Sequence, residues 1–319
     1  MVRSLTIALC LLLGATAAFA QDWPQRPVRL IVPYAAGGGT DIVARVLAQK
    51  LGDALGQPFL VENRTGASGM IGAQMVAKSD ADGYTFLVAS PAEIALNQNL
   101  FPTIAYDPLR DFAPITLLAW TPMVLAAHPS FPASTVPELI ALARGKPTDF
   151  SSPGVGSAHH LVGEYINALA GTHLMHVPYR GAAPALTDLL GGQVEVLVAD
   201  MPVLIAQIQA GSLVPLGVAS DKRDAVLPDV PTFAEQGYPN TNASNWYALL
   251  APAKTPPAVV AKLNKAVNDA LNDPEVHDKL VKTGATPVGG TPESLGTFMK
   301  AEYDKWGRVV QENNIKETP

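Results

Sequence analysis

The chain has 319 residues, with 22 Lys plus Arg against 28 Asp plus Glu and a formal net charge of −6. A mild acidic excess with no basic run excludes a non-specific nucleic-acid binder, which needs a cationic face to displace counterions. It leaves room for one acidic ligand, because the potential inside a cleft and the net charge are separate matters.

Residues 1–20 read as an export signal, with Arg3 as the basic start, Leu5 to Gly14 as the apolar stretch and Ala18-Phe19-Ala20 as a small-x-small cleavage site. Cleavage is expected after Ala20, so that Gln21 begins the mature chain and the net charge moves from −6 to −7 with the loss of Arg3. The apolar stretch is too short to span a bilayer. Cys10, the single cysteine, lies inside it behind Leu9, which is not small, and this disfavours a lipid-anchored reading. The mature chain is then without thiol or disulfide, and about three hundred residues bury enough surface to fold without one. That length suggests roughly two domains. No later apolar run is long enough to span a membrane, and the expected location is a bacterial periplasm.

Strand-like segments are expected at residues 29–33, 59–62, 84–89, 123–127, 174–177, 194–199, 213–219 and 246–251, with helices between most of them at 41–55, 69–78, 136–143, 158–170, 183–190 and 202–210. This alternation predicts an α/β protein of two lobes, each a doubly wound, mostly parallel sheet. Residues 115–128, interrupted at Thr121-Pro122, and 245–253 read as strands crossing between the lobes, which makes a hinge above a ligand cleft. The expected division is a signal at 1–20, lobe 1 at 21–122 and 247–319, and lobe 2 at 123–246. From Pro257 onward the pattern reads as helix alone, ending in a long one at 292–314. Its Leu295, Phe298, Met299, Trp306, Val309 and Val310 fall at helical spacing and read as core.

Pro33-Tyr34-Ala35-Ala36-Gly37-Gly38-Gly39-Thr40-Asp41 lies between the first strand and the first helix, where an anion can meet free backbone N–H groups and the positive end of a helix. A phosphate loop would end in Gly-Lys-Ser/Thr, and here Gly39-Thr40-Asp41 stands instead; Val43 and Ala44 occupy the place of a dinucleotide fold's third glycine. The glycines also suit a plain tight turn, and Asp41 reads as a helix cap rather than a catalytic acid. A second such loop, Ser151-Ser152-Pro153-Gly154-Val155-Gly156-Ser157-Ala158-His159-His160, opens a helix whose buried face is Leu161, Tyr165, Ile166 and Leu169. Two helix starts pointing into one cleft hold a carboxylate without an arginine, each contributing roughly 0.3–1 kcal/mol. Ser152 and Ser157 add hydroxyls, with a helix cap and nothing else as the lesser reading of Ser157. Asn63-Arg64-Thr65-Gly66-Ala67-Ser68-Gly69 and Tyr179-Arg180-Gly181 are further cleft edges. Asp200 either faces the ligand from its strand end or caps the helix at Pro202.

Enzyme signatures are missing. Gly66-Ala67-Ser68-Gly69-Met70 puts the second glycine of a nucleophile elbow one position early. His160 and Glu164 stand one helical turn apart, but no thiolate or second carboxylate cluster joins them, and His173 and His176 face opposite sides of a strand. No catalytic residue, cofactor or metal is expected.

Ordered segments then carry a family resemblance: Trp23-Pro24 to Pro27, Pro33 through Asp41, Val61-Glu62-Asn63-Arg64 with Gly66 and Gly69, Ala81-Asp82-Gly83-Tyr84-Thr85, His176-Val177-Pro178-Tyr179-Arg180-Gly181, Pro184 through Val194, Leu227-Pro228-Asp229-Val230-Pro231-Thr232 and Leu249-Leu250-Ala251-Pro252-Ala253. Over nearly the whole mature chain the sequence resembles the tripartite tricarboxylate transporter substrate-binding proteins. The resemblance implies a two-lobed, type II-like periplasmic binding fold that closes on a small organic carboxylate and delivers it to a transporter of two integral membrane subunits. It implies a carboxylate held by Tyr34 through Asp41 with the stretch Ser152 through His159 opposite. Arg180 stands where the family often has lysine, and Pro153-Gly154-Val155-Gly156 departs from the family's commoner asparagine- or glycine-rich loop. The expected ligand contacts are therefore Tyr34, Ala35, Gly37, Gly38, Thr40, Asp41 and Ser90 from lobe 1. From lobe 2 they are Ser152, Gly154, Ser157, Ala158, His159, Tyr179, Arg180 and Asp200. Trp246 either floors the cleft or packs the hinge. A monomer without catalytic activity is expected. The rival readings are the ligand-sensing arm of a two-component system and a secreted metal-dependent hydrolase using His159, His160 and Glu164.

Overall fold

The computed structural model describes residues 23–238 and 244–312; the expected signal at 1–20 lies outside them. In chain order the strands are β1 (Val28–Val32), β2 (Phe59–Asn63), β3 (Thr85–Ala89), β4 (Phe112–Ala127), β5 (Asp149–Ser152), β6 (Met175–Pro178), β7 (Val196–Asp200), β8 (Val214–Ala219), β9 (Ser244–Pro252) and β10 (Thr286–Gly289). The α-helices are α1 (Gly39–Leu55), α2 (Met70–Ala77), α3 (Asn97–Leu100), α4 (Val136–Gly145), α5 (Ala158–Ala170), α6 (Ala182–Leu190), α7 (Met201–Gln209), α8 (Pro257–Asn272), α9 (Pro274–Lys282) and α10 (Pro292–Glu312). A π-helical turn, Ala92–Leu96, runs into α3. No described helix is long and apolar enough to cross a membrane.

Each lobe is built on three parallel strands. In one, β1 lies between β2 and β3, pairing Val28 with Phe59 and Arg29 with Thr85. In the other, β5 lies between β6 and β7, pairing Asp149 with Met175 and Ser151 with Leu197. Helices cover the faces because their apolar stripes have to leave water: α1 buries Val43, Ala44, Leu47, Ala48 and Leu51. It stops at Gly56, whose φ of 71° returns its N–H to the Gly52 carbonyl. One core gathers around Phe86, Tyr247 and α1, and another around Phe150, α4 and α5.

The 16-residue β4 belongs to both sheets. Its first part runs antiparallel to β9, from Phe112 against Pro252 to Pro122 against Ser244, and to β10. Its second part runs antiparallel to β7 and β8, starting with Met123 against Asp200 and Ala219. The partners change at Pro122, the residue that has no N–H to give to a ladder. The interruption expected at Thr121-Pro122 thus does not end the strand; it marks where one sheet hands over to the other. The parallel reading is also completed by these antiparallel strands at the inner side of each lobe. The expectation of helix alone beyond Pro257 is corrected by β10, a four-residue strand with Thr286 opposite Trp120. Its Pro287 and short length hid it from periodicity. In α10, Leu295, Met299 and Val310 are buried, as their spacing predicts.

Gly163 of α5 shows how tightly the second core closes: a Cβ there would lie 2.1 Å from the Phe150 ring. Gly163→Ala is expected to lower the unfolding free energy by about 1–3 kcal/mol through overpacking, although alanine is the better helix former. Denaturant titration with an unchanged slope would read this directly.

Candidate functional site

The strand order sends the chain out of β1, β5 and β6 at their carboxyl ends and into α1, α5 and α6 at their amino ends. One pocket collects these helix starts: Gly38, Gly39 and Thr40 from α1, Ser157, Ala158 and His159 from α5, and Ala182 from α6. Neither Gly38 nor Gly181, which precede α1 and α6, caps its helix with a side chain, so the first-turn N–H groups have no partner within the helix. Ser157 does cap α5, taking the His160 N–H at 3.2 Å. Pro91, Ala92 and Pro153 add apolar wall, and no Lys or Arg lines the pocket. Its positive character comes from oriented backbone dipoles alone. The space enclosed is about 390 Å³, part of it open to solvent.

Loops of the two lobes touch across this space. The Ala35 N–H donates to the Arg180 carbonyl at 3.2 Å, and the Ser68 hydroxyl donates to the Val155 carbonyl. A Cβ on Gly181 would stand 2.9 Å from the Ala35 nitrogen, so glycine is what lets the loops meet. The cleft is closed.

Asp200, in the pocket lining, terminates β7. Its Oδ1 lies 2.8 Å from His159 Nε2 and accepts from Asn245 Nδ2 at 3.0 Å, and its Oδ2 accepts from Tyr247 Oη at 2.5 Å. Asp200, His159 and Asn245 are each at most 5% exposed. Burial, then the Asp200 charge, pushes the Tyr247 phenol well above its ordinary range. Asp200 lines the pocket, but its acceptors are already taken, and it makes no side-chain cap to α7.

Another part of the lining is a wall of Tyr34 and Ser90 backed by Glu93, a residue that sequence reasoning missed. Glu93 is fully buried. Its Oε1 accepts from Tyr34 Oη at 2.6 Å, and its Oε2 accepts from the Ser90 N–H at 2.7 Å and the Ser90 hydroxyl at 2.9 Å. Burial raises its pKa to about 7 against the pull of those hydrogen bonds. Gly69 makes room, since a Cβ there would fall 1.9 Å from Oε1. A lone acid in the apolar run Ala92-Glu93-Ile94-Ala95-Leu96, directly after a buried strand, is the signal that marks it.

Of the expected contacts, Tyr34, Gly38, Thr40, Ser90, Ser157, Ala158, His159 and Asp200 line the pocket. The others do not, each for a local reason. Asp41 turns inward, accepting from the Gly37 N–H and Arg45 at Oδ2 and from Asn63 at Oδ1. Burial raises its pKa, but the bonds from Arg45, Gly37 and Asn63 win and leave it lowered. Gly37, with φ at 81°, serves that turn. Ala35 and Arg180 use their backbones on each other, and the Arg180 side chain is exposed. Ser152 is buried against His176 Nε2 at 2.7 Å, and the Gly154 carbonyl takes the Ser157 hydroxyl. Tyr179 donates to Asp188 at 2.6 Å, its phenol pushed up to about 12 by burial and then by that bond. Trp246 is packed on Phe298 with ring centres 5.2 Å apart and donates to Glu302, so it does not floor the cleft. Gly39, within the stretch Tyr34 through Asp41, also lines the pocket, and Ala182 and Asn245 are lining residues that motif reading passed over.

The histidines do other work. His160 stacks on His176 with ring centres 3.9 Å apart. Burial, then the neighbouring His160, lowers the His176 pKa to about 3. His160 Nε2 is 3.7 Å from Glu164. Among the described residues no group of three or more His, Cys, Asp or Glu is placed to hold a metal, which leaves the hydrolase reading of His159, His160 and Glu164 without a centre.

The likeness to known proteins runs the length of the chain. Protein BugT of Bordetella pertussis is 40% identical over 305 residues, covering 95% of this chain and 94% of its own. The R. palustris protein Rpa4515, solved with adipate, superposes with a TM-score of 0.87 at 38% identity, covering 91% of this chain and 98% of that one. MatC from Rhodopseudomonas palustris, solved with bound malate, gives 0.86 at 33% identity over 90% of this chain and 100% of that one. The solved periplasmic binding protein BugD has the same fold, with a TM-score of 0.89 at 34% identity over 92% of this chain and 100% of that one, and the model for the tripartite tricarboxylate transporter family receptor matches residues 43–315. The chain belongs to that family of solute-binding receptors.

Proposed function

We propose that this protein captures a small organic carboxylate between its lobes in the periplasm and, as a monomer, hands it to a tripartite membrane transporter. The observation that carries this reading is the convergence of the α1, α5 and α6 starts on one pocket with no lysine or arginine among its described lining residues. Such a site prefers a compact anion rich in acceptors, which is what a carboxylate offers to backbone N–H groups. Each partly buried helix start contributes up to about 2 kcal/mol. The adipate and malate seen in the relatives' structures are ligands of this chemistry. In this reading the lobes are residues 21–122 with 247–319 and residues 123–246, and the closed form is what the membrane partner recognises. Capture requires no bond to be made or broken, in keeping with a family of receptors.

Protein unfolded and refolded to strip carried-over ligand is expected to melt higher with small carboxylates and unchanged with their amides. A ligand at about one hundred times its dissociation constant adds roughly 2.7 kcal/mol, a shift of several degrees. An equal response to acid and amide would overturn the carboxylate assignment. Closure is tested separately at Ala35, whose Cβ would be 3.0 Å from a Cβ on Gly181 in the opposite lobe. Ala35→Leu is expected to wedge the loops apart and weaken binding about tenfold or more. The ligand-free protein should keep its stability to within about 0.5 kcal/mol. Calorimetric affinity equal to the parent's would show that these loops do not meet around the ligand.

A further inference from the structure

The Tyr34–Ser90 wall has a property that the helix starts lack: its donors are already committed. Three hydrogens, from the Tyr34 hydroxyl, the Ser90 hydroxyl and the Ser90 N–H, point at the Glu93 carboxylate. With those hydrogens turned away, the Tyr34 and Ser90 oxygens offer lone pairs elsewhere, and both residues line the pocket. We propose that Glu93 is a positioning residue that sets the hydrogen-bond polarity of this wall, and so decides whether the wall takes a hydroxyl of the ligand or a second carboxylate. The inference rests on the carboxylate reading above and adds to it the chemistry of the ligand's far end.

When Glu93 is ionised the wall only accepts, so it pairs with a donor such as the hydroxyl of a hydroxy acid. When a solvent proton binds Oε1, that O–H donates to Tyr34 Oη, and the phenol hydrogen is freed to turn to Ser90 Oγ, 3.3 Å away, or to a ligand oxygen in the pocket. The wall then donates and suits a bare carboxylate. The titratable groups that face Glu93 are Tyr34 and Tyr106. The Tyr106 hydroxyl donates to the Glu93 carbonyl at 2.8 Å, and burial pushes both phenols upward, so neither loses its proton near neutrality. From α10, which packs on the same turn, the Glu302 carboxylate accepts from the Trp246 and Trp306 indoles instead. No Lys, Arg or His side chain is bonded to Glu93 among the described residues. With its pKa raised to about 7, Glu93 changes state within the range where small polycarboxylic acids stay largely ionised.

The test uses two pairs that differ by one hydroxyl: malate with succinate, and citrate with tricarballylate. Affinities are measured by calorimetry on stripped full-length protein from about pH 6 to about pH 8.5. The preference for the hydroxylated member is expected to rise about tenfold across that range, the scale of one hydrogen bond gained against one donor left facing an oxygen. In Glu93→Gln the amide donates to Tyr34 Oη at every pH, so the preference should be flat and sit at the acid-side value. Tyr34→Phe, which removes the relay and leaves the carboxylate, should also be flat. A pH-independent preference in the parent protein overturns the proposal without any variant. Binding of other carboxylates but of neither pair overturns it and leaves the carboxylate reading standing. No response to any carboxylate overturns both.

Discussion

The cleft depends on one carboxylate with neither lysine nor arginine beside it. Asp200 sits at the last position of β7 and receives His159 from α5 and both Asn245 and Tyr247 from β9. These belong to elements that enter the pocket from different directions, so the aspartate fixes the floor to which the helix starts are fitted. A buried carboxylate is costly unless its oxygens are satisfied. The need for several donors at once is what brings the side chains together. Gly39 carries the same constraint into α1, because a Cβ there would lie 2.1 Å from Tyr247 Oη and 2.6 Å from Asp200 Oδ2. The third glycine of the first loop is thus required by Tyr247 of its own lobe and by Asp200 across the cleft, and not by the turn it sits in.

From this floor the convergence of helix starts follows by geometry. Parallel strands deliver every following helix with its amino end at the same edge of the sheet, and two lobes sharing β4 bring two such edges face to face. Small residues at the contact points, Gly181 against Ala35 and Gly154 near Ser68, let backbone approach backbone. A lysine or arginine would bind an anion more strongly as a single contact, but a cation in a closed cleft has to be desolvated each time the cleft closes and resolvated each time it opens. Backbone N–H groups held by helices meet the same ligand with little reorganisation, which suits a protein that must release what it binds.

The alternation of strands and helices was legible because it depends on local periodicity: α5 begins and ends where its apolar spacing and the flanking Ser157 and Gly171 place it. The two glycine loops were legible because a strand-to-helix turn with glycine has few other uses. What was hidden depends on contacts distant in sequence. Asp200 looked available because nothing local shows that Asn245, 45 residues away, will occupy it. Trp246 stayed open between cleft floor and packing because alternation along β9 does not say which face looks at α10. β10 was invisible because four residues with a proline carry no period, and its only warrant is the free edge of β4.

Two buried acids, Asp200 in the pocket lining and Glu93 behind it, illustrate two ways to keep a carboxylate out of water. Asp200 takes three donors from two separate elements, α5 and β9, and it behaves as a strut. Glu93 takes all its donors from Tyr34 and Ser90, which themselves line the pocket. Any change in its charge must therefore be expressed at the pocket surface, since the hydrogens that move are on ligand-facing groups. A polar residue buried for structure alone needs partners that stay put; one whose partners face the ligand has its ionisation coupled to what is bound. The same distinction explains why the glycine opposite each acid differs in kind. Gly39 is held against Asp200 by the closed cleft, whereas Gly69, with φ at 83°, belongs to the turn that packs over Glu93 within its own lobe. That turn also reaches the other lobe, through the Ser68 hydroxyl on the Val155 carbonyl, so the packing over Glu93 and the contact between the lobes share one segment.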